Sequence, residues 1–406
     1  MLTYEQALTR ILGATPSPRM AVVRLREALG LVLAKPMMAC SDLPQFDNSA
    51  VDGYAIRSQD APHATNGHAV HATFRIIGTA EAGRPFGGLV RHGEAVRILT
   101  GAQVPQGATA VVMQEQAVRR RRQLIIQRWP TLRQNIRRRG EDLRRGTHVL
   151  KAGTVLRPQD IGLLAAIGVA EVPVYPRPTV AILTTGDELR PPGTCLQPGQ
   201  IYESNGPLLH ALVQQAGARV MGLGTARDVL LSLIRKVHRG LACDLLVISG
   251  GVSVGEKDFV RRAAQRCGVR PFLWQVNIKP GMPLFVGKCG RTLVFGLPGN
   301  PVSAFVTFEE FVKPALYRLM GRRWQDPYTE PAILTEDLQV SHTRRTHFLR
   351  VRCSQHHQLV AEPLDGQSSH RLRSLAEADG WIRVASDESP WPAGTQVFVK
   401  RESPRW

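Results

Sequence analysis

Three strand-like runs in the second half of the chain each empty into a polar loop opened by glycine. Residues 180–183 lead into Thr184-Thr185-Gly186-Asp187-Glu188, residues 245–248 into Ser249-Gly250-Gly251-Val252-Ser253-Val254-Gly255, and residues 293–295 into Gly296-Leu297-Pro298-Gly299-Asn300-Pro301. Glycine lacks the Cβ that would hold a phosphate away from backbone N–H groups, and a helix amino end behind a loop adds to the attraction for an anion. A single loop of this kind is no more than a tight turn after a strand. Three on one sheet edge favour a site. Acids accompany them at Asp187, Glu188, Asp228, Glu256 and Asp258. Carboxylates beside a phosphate cradle repel it unless a hard cation lies between, so the pattern implies Mg²⁺ shared by one or two carboxylates and phosphate oxygens. The bland reading of Asp228 and Asp258 is a helix amino cap, which does not exclude a metal. Lys279, in Ile278-Lys279-Pro280-Gly281, adds a point charge for phosphate, although a lone lysine is more often solvated.

The elements that must carry these loops alternate as an α/β sheet requires. Strand patterns at 179–183, 219–224, 244–249 and 292–295 are separated by helical patterns at 205–216, 229–238 and 258–267, with a further helix after Pro301. Right-handed crossovers then make a mostly parallel sheet that binds its ligand at the carboxyl ends of the strands. Elsewhere the pattern changes. Residues 3–29 carry apolar positions at helical spacing, 65–135 read as a small β-rich module, 146–168 turn helical, and Pro176 with Pro178 marks a joint. Residues 328–406 return to short β-type segments and read as a small barrel or sandwich. The fold class is multidomain, α/β plus β.

Composition bounds the rest. A chain of 406 residues, 43% hydrophobic and 21% charged, is long enough for two to four domains. The cysteines, Cys40, Cys195, Cys243, Cys267, Cys289 and Cys353, show no paired spacing and read as free thiols of a reducing compartment. Residues 1–30 lack the pattern of a cleavable leader and no apolar run approaches a membrane span, which points to the cytoplasm. The net charge of +19 suggests an anionic partner without choosing among nucleic acid, membrane surface and polyphosphorylated ligand. The run Arg119 to Arg122 reads as a solvated hairpin tip.

Three further segments, 43–55, 97–107 and 135–142, mix polar, small, charged and aromatic residues without strand or helix period. They are shaped loops whose task periodicity does not assign.

The strings FDNSAVDGYA, RILTGAQVPQGA followed by VVMQE, NIRRRGED, TTGDEL, IYESN, SGGVSVGEKDF, KPG and GLPGNPVSAF occur in this order. Together they resemble the molybdopterin molybdenumtransferases, the MoeA and gephyrin E-domain family. The resemblance covers nearly the whole chain. It implies four domains: a discontinuous linking domain (1–44 and 141–176), a β-rich domain (45–140), a molybdopterin-binding α/β domain (177–326) and a C-terminal β-barrel-like domain (327–406). It also implies a homodimer whose cleft is completed by the partner copy, with molybdate and adenylylated molybdopterin as substrates and Mg²⁺ as cofactor. By position, Asp52, Thr100, Arg137 and Asp142 match the partner side of that cleft, and Glu188, Lys279 and Arg350 join them as catalytic candidates. Thr185, Gly186, Asp187, Ser249, Gly250, Gly251, Ser253, Pro298, Gly299, Asn300 and Pro301 match the nucleotide and pterin side, with Asp228, Asp258 and Glu188 at the metal. Arg350, in Phe348-Leu349-Arg350, resembles an arginine that lines the cleft. The adenylyltransferase that makes the substrate and proteins that mature molybdoenzymes are implied partners; no specific nucleic acid and no membrane are. The sequence departs from the family pattern at Met282, where a lysine is usual, at Val229 in place of an acid, and at Thr109, and residues 366–375 match only loosely, so no catalytic role is carried onto them. Two rival classes stand beside this reading. One is a pterin-binding or adenylylating paralogue without insertion activity. The other is a nucleic-acid-binding protein, which the charge invites but the lack of interleaved aromatics disfavours.

Overall fold

The computed structural model of the chain describes residues 1–60, 73–251, 259–340, 345–355, 357–385 and 390–402. They fall into two compact units, one of residues 1–21, 30–34 and 173–406, the other of 22–29 and 35–172.

The first unit is built on a six-stranded sheet: β1 (Thr179–Thr185), β2 (Arg219–Ala226), β3 (Leu245–Ser249), β4 (Arg270–Gln275), β5 (Pro283–Cys289) and β6 (Thr292–Leu297), in the order β2-β1-β3-β6-β5-β4. β2, β1, β3 and β6 run parallel, while β5 is antiparallel to both β6 and β4. The alternating alignment of a strand sends neighbouring residues to opposite faces. Val180 and Ile182, with Leu245, Val247, Leu293 and Phe295, pack with Leu209, Leu212 and Val213 of the helix Asn205–Gln215. Ala181 and Leu183, with Leu246, Ile248 and Val294, pack with Leu233 and Val237 of Leu230–Gly240 and with Val260 and Ala263 of Phe259–Arg266. Burying each large apolar side chain stabilises by about 1.5–3 kcal/mol, so a sheet covered on both faces is a rigid base for its loops. From β1 the chain crosses to β2 on one side and then returns past β1 to β3, which makes the β1–β3 boundary a topological switch point.

The sequence reading anticipated the parallel strands and missed β4 and β5. Their register is broken by irregularities between Pro271 and Leu273 and between Leu273 and Gln275, which hides the period. The helix Tyr4–Ala14, started by a reciprocal cap between Thr3 and Gln6, buries Tyr4, Ala7 and Ile11 against the α/β core.

In the C-terminal part of this unit Thr346–Gln355, Leu359–Pro363, Glu330–Leu334, Gln396–Arg401 and Gly380–Ala385 pair in succession, and the last pairs back with the first. The barrel is closed. It is joined to the α/β domain by a buried ionic cluster in which Lys400 Nζ donates to Glu309 (2.7 Å) and Glu310 (3.3 Å), and Glu310 accepts from the hydroxyls of Tyr4 (2.9 Å) and Tyr328 (3.1 Å).

The second unit carries another six-stranded sheet, Ala110–Met113, Gly53–Ile56, Glu94–Ile98, Thr73–Ala80, Gln123–Ile126 and Ala117–Arg120 in spatial order. Its last two strands form a hairpin with Arg121 at the left-handed turn (φ 55°) and Arg119 to Arg122 exposed, as the arginine run suggested. The expected helical stretch 146–168 is in part extended. His148–Leu150 pairs with Met37–Met38, and the helix occupies only Pro158–Ala166, with Pro158 in its first turn. All six cysteines are free. Among the described residues no helix is long and apolar enough to cross a membrane.

Candidate functional site

Parallel register decides where the three glycine-opened loops leave the sheet. Thr184 pairs with Ser249 and Ser249 with Leu297, so β1, β3 and β6 end side by side. Their loops line a cleft of about 650 Å³, together with Tyr202 to Asn205 at the amino end of the helix Asn205–Gln215 and with His370 from the barrel part. Of the sequence candidates, Thr185, Gly186, Glu188, Asp228, Ser249, Gly250, Gly251, Pro298, Gly299, Asn300 and Pro301 line this one cleft. Ser253 and Asp258, with Glu256, lie outside the described residues.

Glycine is required at the β3 loop. Gly250 has φ 94° and a Cβ there would stand 2.4 Å from the Thr185 carbonyl oxygen; Gly251 has φ 64° and its Cβ would meet Val260 at 2.8 Å. Both conformation and space exclude a side chain. The acids form a chain of contacts: the Thr185 hydroxyl donates to Asp228 Oδ1 at 2.5 Å, and the Asp228 N–H donates to Asp187 Oδ1 at 3.2 Å. Asp187 therefore orients Asp228 from the exposed side. The Glu188 carboxylate folds over Gly186, whose Cβ, if present, would lie 2.8 Å from both of its oxygens.

Asn205 ties two of the loops together, donating to Ser249 Oγ (2.9 Å) and to the Gly299 carbonyl (2.7 Å), while its own Oδ1 is buried without a hydrogen-bond partner among the described residues. Sequence reasoning assigned it only the start of a helix. The IYESN string was the signal for it, but that string has no period from which a role follows.

Lys279 and Arg350 are not among the residues lining this cleft. Lys279 is in a two-residue strand, Ile278–Lys279, paired with Thr346–Gln355, where burial of His347, with the Lys279 charge a lesser cause, pushes that imidazole down to about 4. Arg350 is 1% exposed and does not reach the cleft wall. Its guanidinium donates to the carbonyls of Gly366 (3.2 Å), Ser368 (3.3 Å) and Arg371 (3.3 Å) and to the Gln367 amide oxygen (3.3 Å). Burial, with Arg371 nearby, lowers its pKa to about 10, which leaves it charged at neutral pH. It therefore clamps the loop 366–371 from beneath. That loop reaches the cleft: Asn300 Nδ2 donates to Ser369 Oγ (3.0 Å) and Val302 N–H to the Ser369 carbonyl (3.1 Å).

The other four candidates belong to the second unit, where the three aperiodic segments are stitched together. Asn48–Ser49 pairs with Ile136–Arg137, the Ser49 N–H donates to Ala102 (3.0 Å), Gly101 N–H donates to Ser49 (2.8 Å), and Val104 N–H donates to Asp47 (2.9 Å). On this platform Asp52 Oδ1 accepts from both the hydroxyl and the N–H of Thr100, each at 2.7 Å, and these bonds hold its carboxyl below the usual carboxylate range. Arg137 follows Ile136 in the short ladder, and the Asp142 N–H donates to Leu43 at 3.1 Å. Asp52, Thr100, Arg137 and Asp142 are all exposed.

Comparison with known proteins covers almost the whole chain. Models described as the MoeA N-terminal region (domain I and II), "Probable molybdopterin binding domain" and the MoeA C-terminal region (domain IV) match residues 2–168, 181–318 and 331–400. Molybdopterin molybdenumtransferase 2 of Mycobacterium tuberculosis is 40% identical over 390 residues, 94% of this chain and 95% of the relative. The molybdopterin molybdenumtransferase of Haemophilus influenzae is 36% identical over 406 residues, 98% of each. The crystal structure of a molybdopterin biosynthesis MoeA protein from Pyrococcus horikoshii superposes with a TM-score of 0.84 at 30% identity, covering 99% of both chains.

Proposed function

Since the chain belongs to the molybdopterin molybdenumtransferase family of enzymes, we propose that its cleft inserts molybdate into the dithiolene of adenylylated molybdopterin, releasing AMP in a Mg²⁺-dependent step. The coarser activity, molybdenum insertion in molybdenum cofactor biosynthesis, follows from the family. The observation that carries the finer reading is the meeting of three glycine-opened loops at the switch point, beside the hydrogen-bonded series Thr185, Asp228, Asp187.

The donor set suits magnesium. Asp228 and Glu188 offer hard carboxylate oxygens on the cleft wall, and Asp228 Oδ1 retains lone-pair capacity after its bond to Thr185. Among the described residues no three acids, histidines or cysteines are grouped to hold a metal alone. Mg²⁺ needs no such cage, because it takes one or two carboxylates and fills its shell with phosphate oxygens and water. Asp228 and Glu188 would hold it, and bound there it would polarise the pyrophosphate between pterin and AMP and stabilise the charge of cleavage. The chain's own residues position the rest. Thr185 and Asp187 orient Asp228, Gly250 and Gly251 let phosphate approach the backbone, and Asn205 fixes two of the loops relative to each other. Because the sulfur nucleophiles belong to the substrate, positioning is the main contribution asked of the protein.

The carboxylates of Asp52 and Asp142, the Thr100 hydroxyl and the Arg137 guanidinium are exposed on the second unit's platform. We propose that Asp52, Thr100, Arg137 and Asp142 of a second copy complete the cleft, making the enzyme a homodimer. The adenylyltransferase and molybdoenzyme maturation proteins would be its partners, and the cytoplasm its compartment. Purified protein given adenylylated molybdopterin, molybdate and Mg²⁺ should release AMP as cofactor forms, and chelation should stop it. Silence with all three present would leave a pterin-binding protein without insertion activity.

A further inference from the structure

The charge inventory of the cleft is lopsided. Glu188, Glu203 and Asp228 lie on its wall, and the one side chain among its described lining residues that can carry positive charge is His370. An anionic substrate entering there meets three carboxylates. Magnesium would offset part of that repulsion. Neither Lys279 nor Arg350 lines the cleft to offset the remainder. His370 is exposed, but the backbone on both sides of it is anchored. Ser369 is held by Asn300 Nδ2 and Val302 N–H, and the Arg371 carbonyl accepts from the Arg350 guanidinium (3.3 Å) and from Ser374 Oγ (3.1 Å). An imidazole offers an N–H donor when neutral, and two donors with a full charge when protonated. Held at the rim of an acidic pocket, it suits a phosphate oxygen.

We propose that His370 is a substrate-binding residue of this cleft that contacts the phosphate-bearing part of the ligand, with Arg350 as the positioning residue that sets its loop. The inference rests on the reading of the cleft as a nucleotide and pterin site. Its test is titration calorimetry of the full chain with AMP and Mg²⁺, comparing wild type with His370→Ala, His370→Gln and His370→Arg. Loss of a charge-assisted bond predicts about tenfold weaker binding for the alanine variant and a smaller loss for glutamine, which keeps an N–H donor. Arginine should restore affinity. In turnover the alanine variant should raise KM for adenylylated molybdopterin with kcat within about twofold. Equal AMP affinity and KM in the alanine variant and wild type would overturn the role of His370 while leaving the site reading intact. A wild type that binds no AMP would overturn both. A loss that arginine does not restore, joined to a lower melting temperature, would make His370 a structural residue and likewise overturn the proposal.

Discussion

The α/β cleft and the platform of the second unit bring polar residues together in opposite ways. In the cleft, strand register does the gathering: Thr184, Ser249 and Leu297 are neighbours because β1, β3 and β6 are parallel and in phase, and the chemistry hangs on their ends. On the platform, ladders of two residues and single backbone hydrogen bonds join segments far apart in sequence, such as Asn48 with Arg137 and Gly101 with Ser49. Register is dictated by buried apolar side chains, which a sequence displays as a period. Stitched loops are dictated by individual polar contacts, which it does not. A fault in the cleft should therefore strike chemistry through one group, whereas the platform should answer through its local network.

The sharpest break of that comparison is Asp228→Ala, which removes a metal candidate and strands the Thr185 hydroxyl. Its kcat/KM should fall by about three orders of magnitude, with the melting temperature little changed; activity within tenfold of wild type would remove Asp228 from the chemistry.

Glycines on the two sides give the next contrast. Gly250→Ala places a Cβ 2.4 Å from the Thr185 carbonyl and should cost about 1–3 kcal/mol, lowering both denaturant midpoint and AMP affinity. Gly101→Ala shares the left-handed backbone, with φ 79°, but faces open space, so only the conformational cost of about 1 kcal/mol is expected. Equal losses would mean that crowding at Gly250 is not what the β3 loop depends on.

A subtler effect concerns Asp52. The Thr100 bonds favour its ionised form, so the stability they contribute is present above the unfolded carboxylate value and is lost as pH falls through the depressed folded value. Thr100→Val removes the larger of the two, the hydroxyl bond, and should move the Asp52 titration, followed by carboxyl NMR, up toward its ordinary range. An unmoved titration would deny the coupling. Smallest of all, replacing Arg119 to Arg122 with glutamine should change turnover by less than about twofold while weakening salt-sensitive binding to DNA.

How far these features can be read without coordinates follows the same division. The parallel strands, the three loops and their convergence were legible from periodicity. The antiparallel pair β4 and β5 was not, because Pro271 and an irregular register break the alternation. The platform residues Asp52, Thr100, Arg137 and Asp142 could be singled out only through resemblance. Arg350 shows what packing adds to a resemblance. The resemblance names it as a cleft arginine, and only the structure reveals that it is buried and that its guanidinium donates to the carbonyls of Gly366, Ser368 and Arg371. Asn205 reads in the sequence only as the start of a helix and the segment with His370 receives no catalytic role, because neither a bridging amide nor a lone histidine on an irregular loop carries a sequence period.

Subunit complementation tests the shared cleft most directly. Asp52→Ala and Asp228→Ala variants, each expected to be inactive and differently tagged, are mixed under conditions that let any subunits exchange, and AMP release is followed in the mixture. If one copy's platform serves the other's cleft, each mixed dimer holds one intact site, and random exchange should restore about a quarter of wild-type activity. Verified exchange with no recovery would place Asp52 and Asp228 at the same site within one copy and contradict the account.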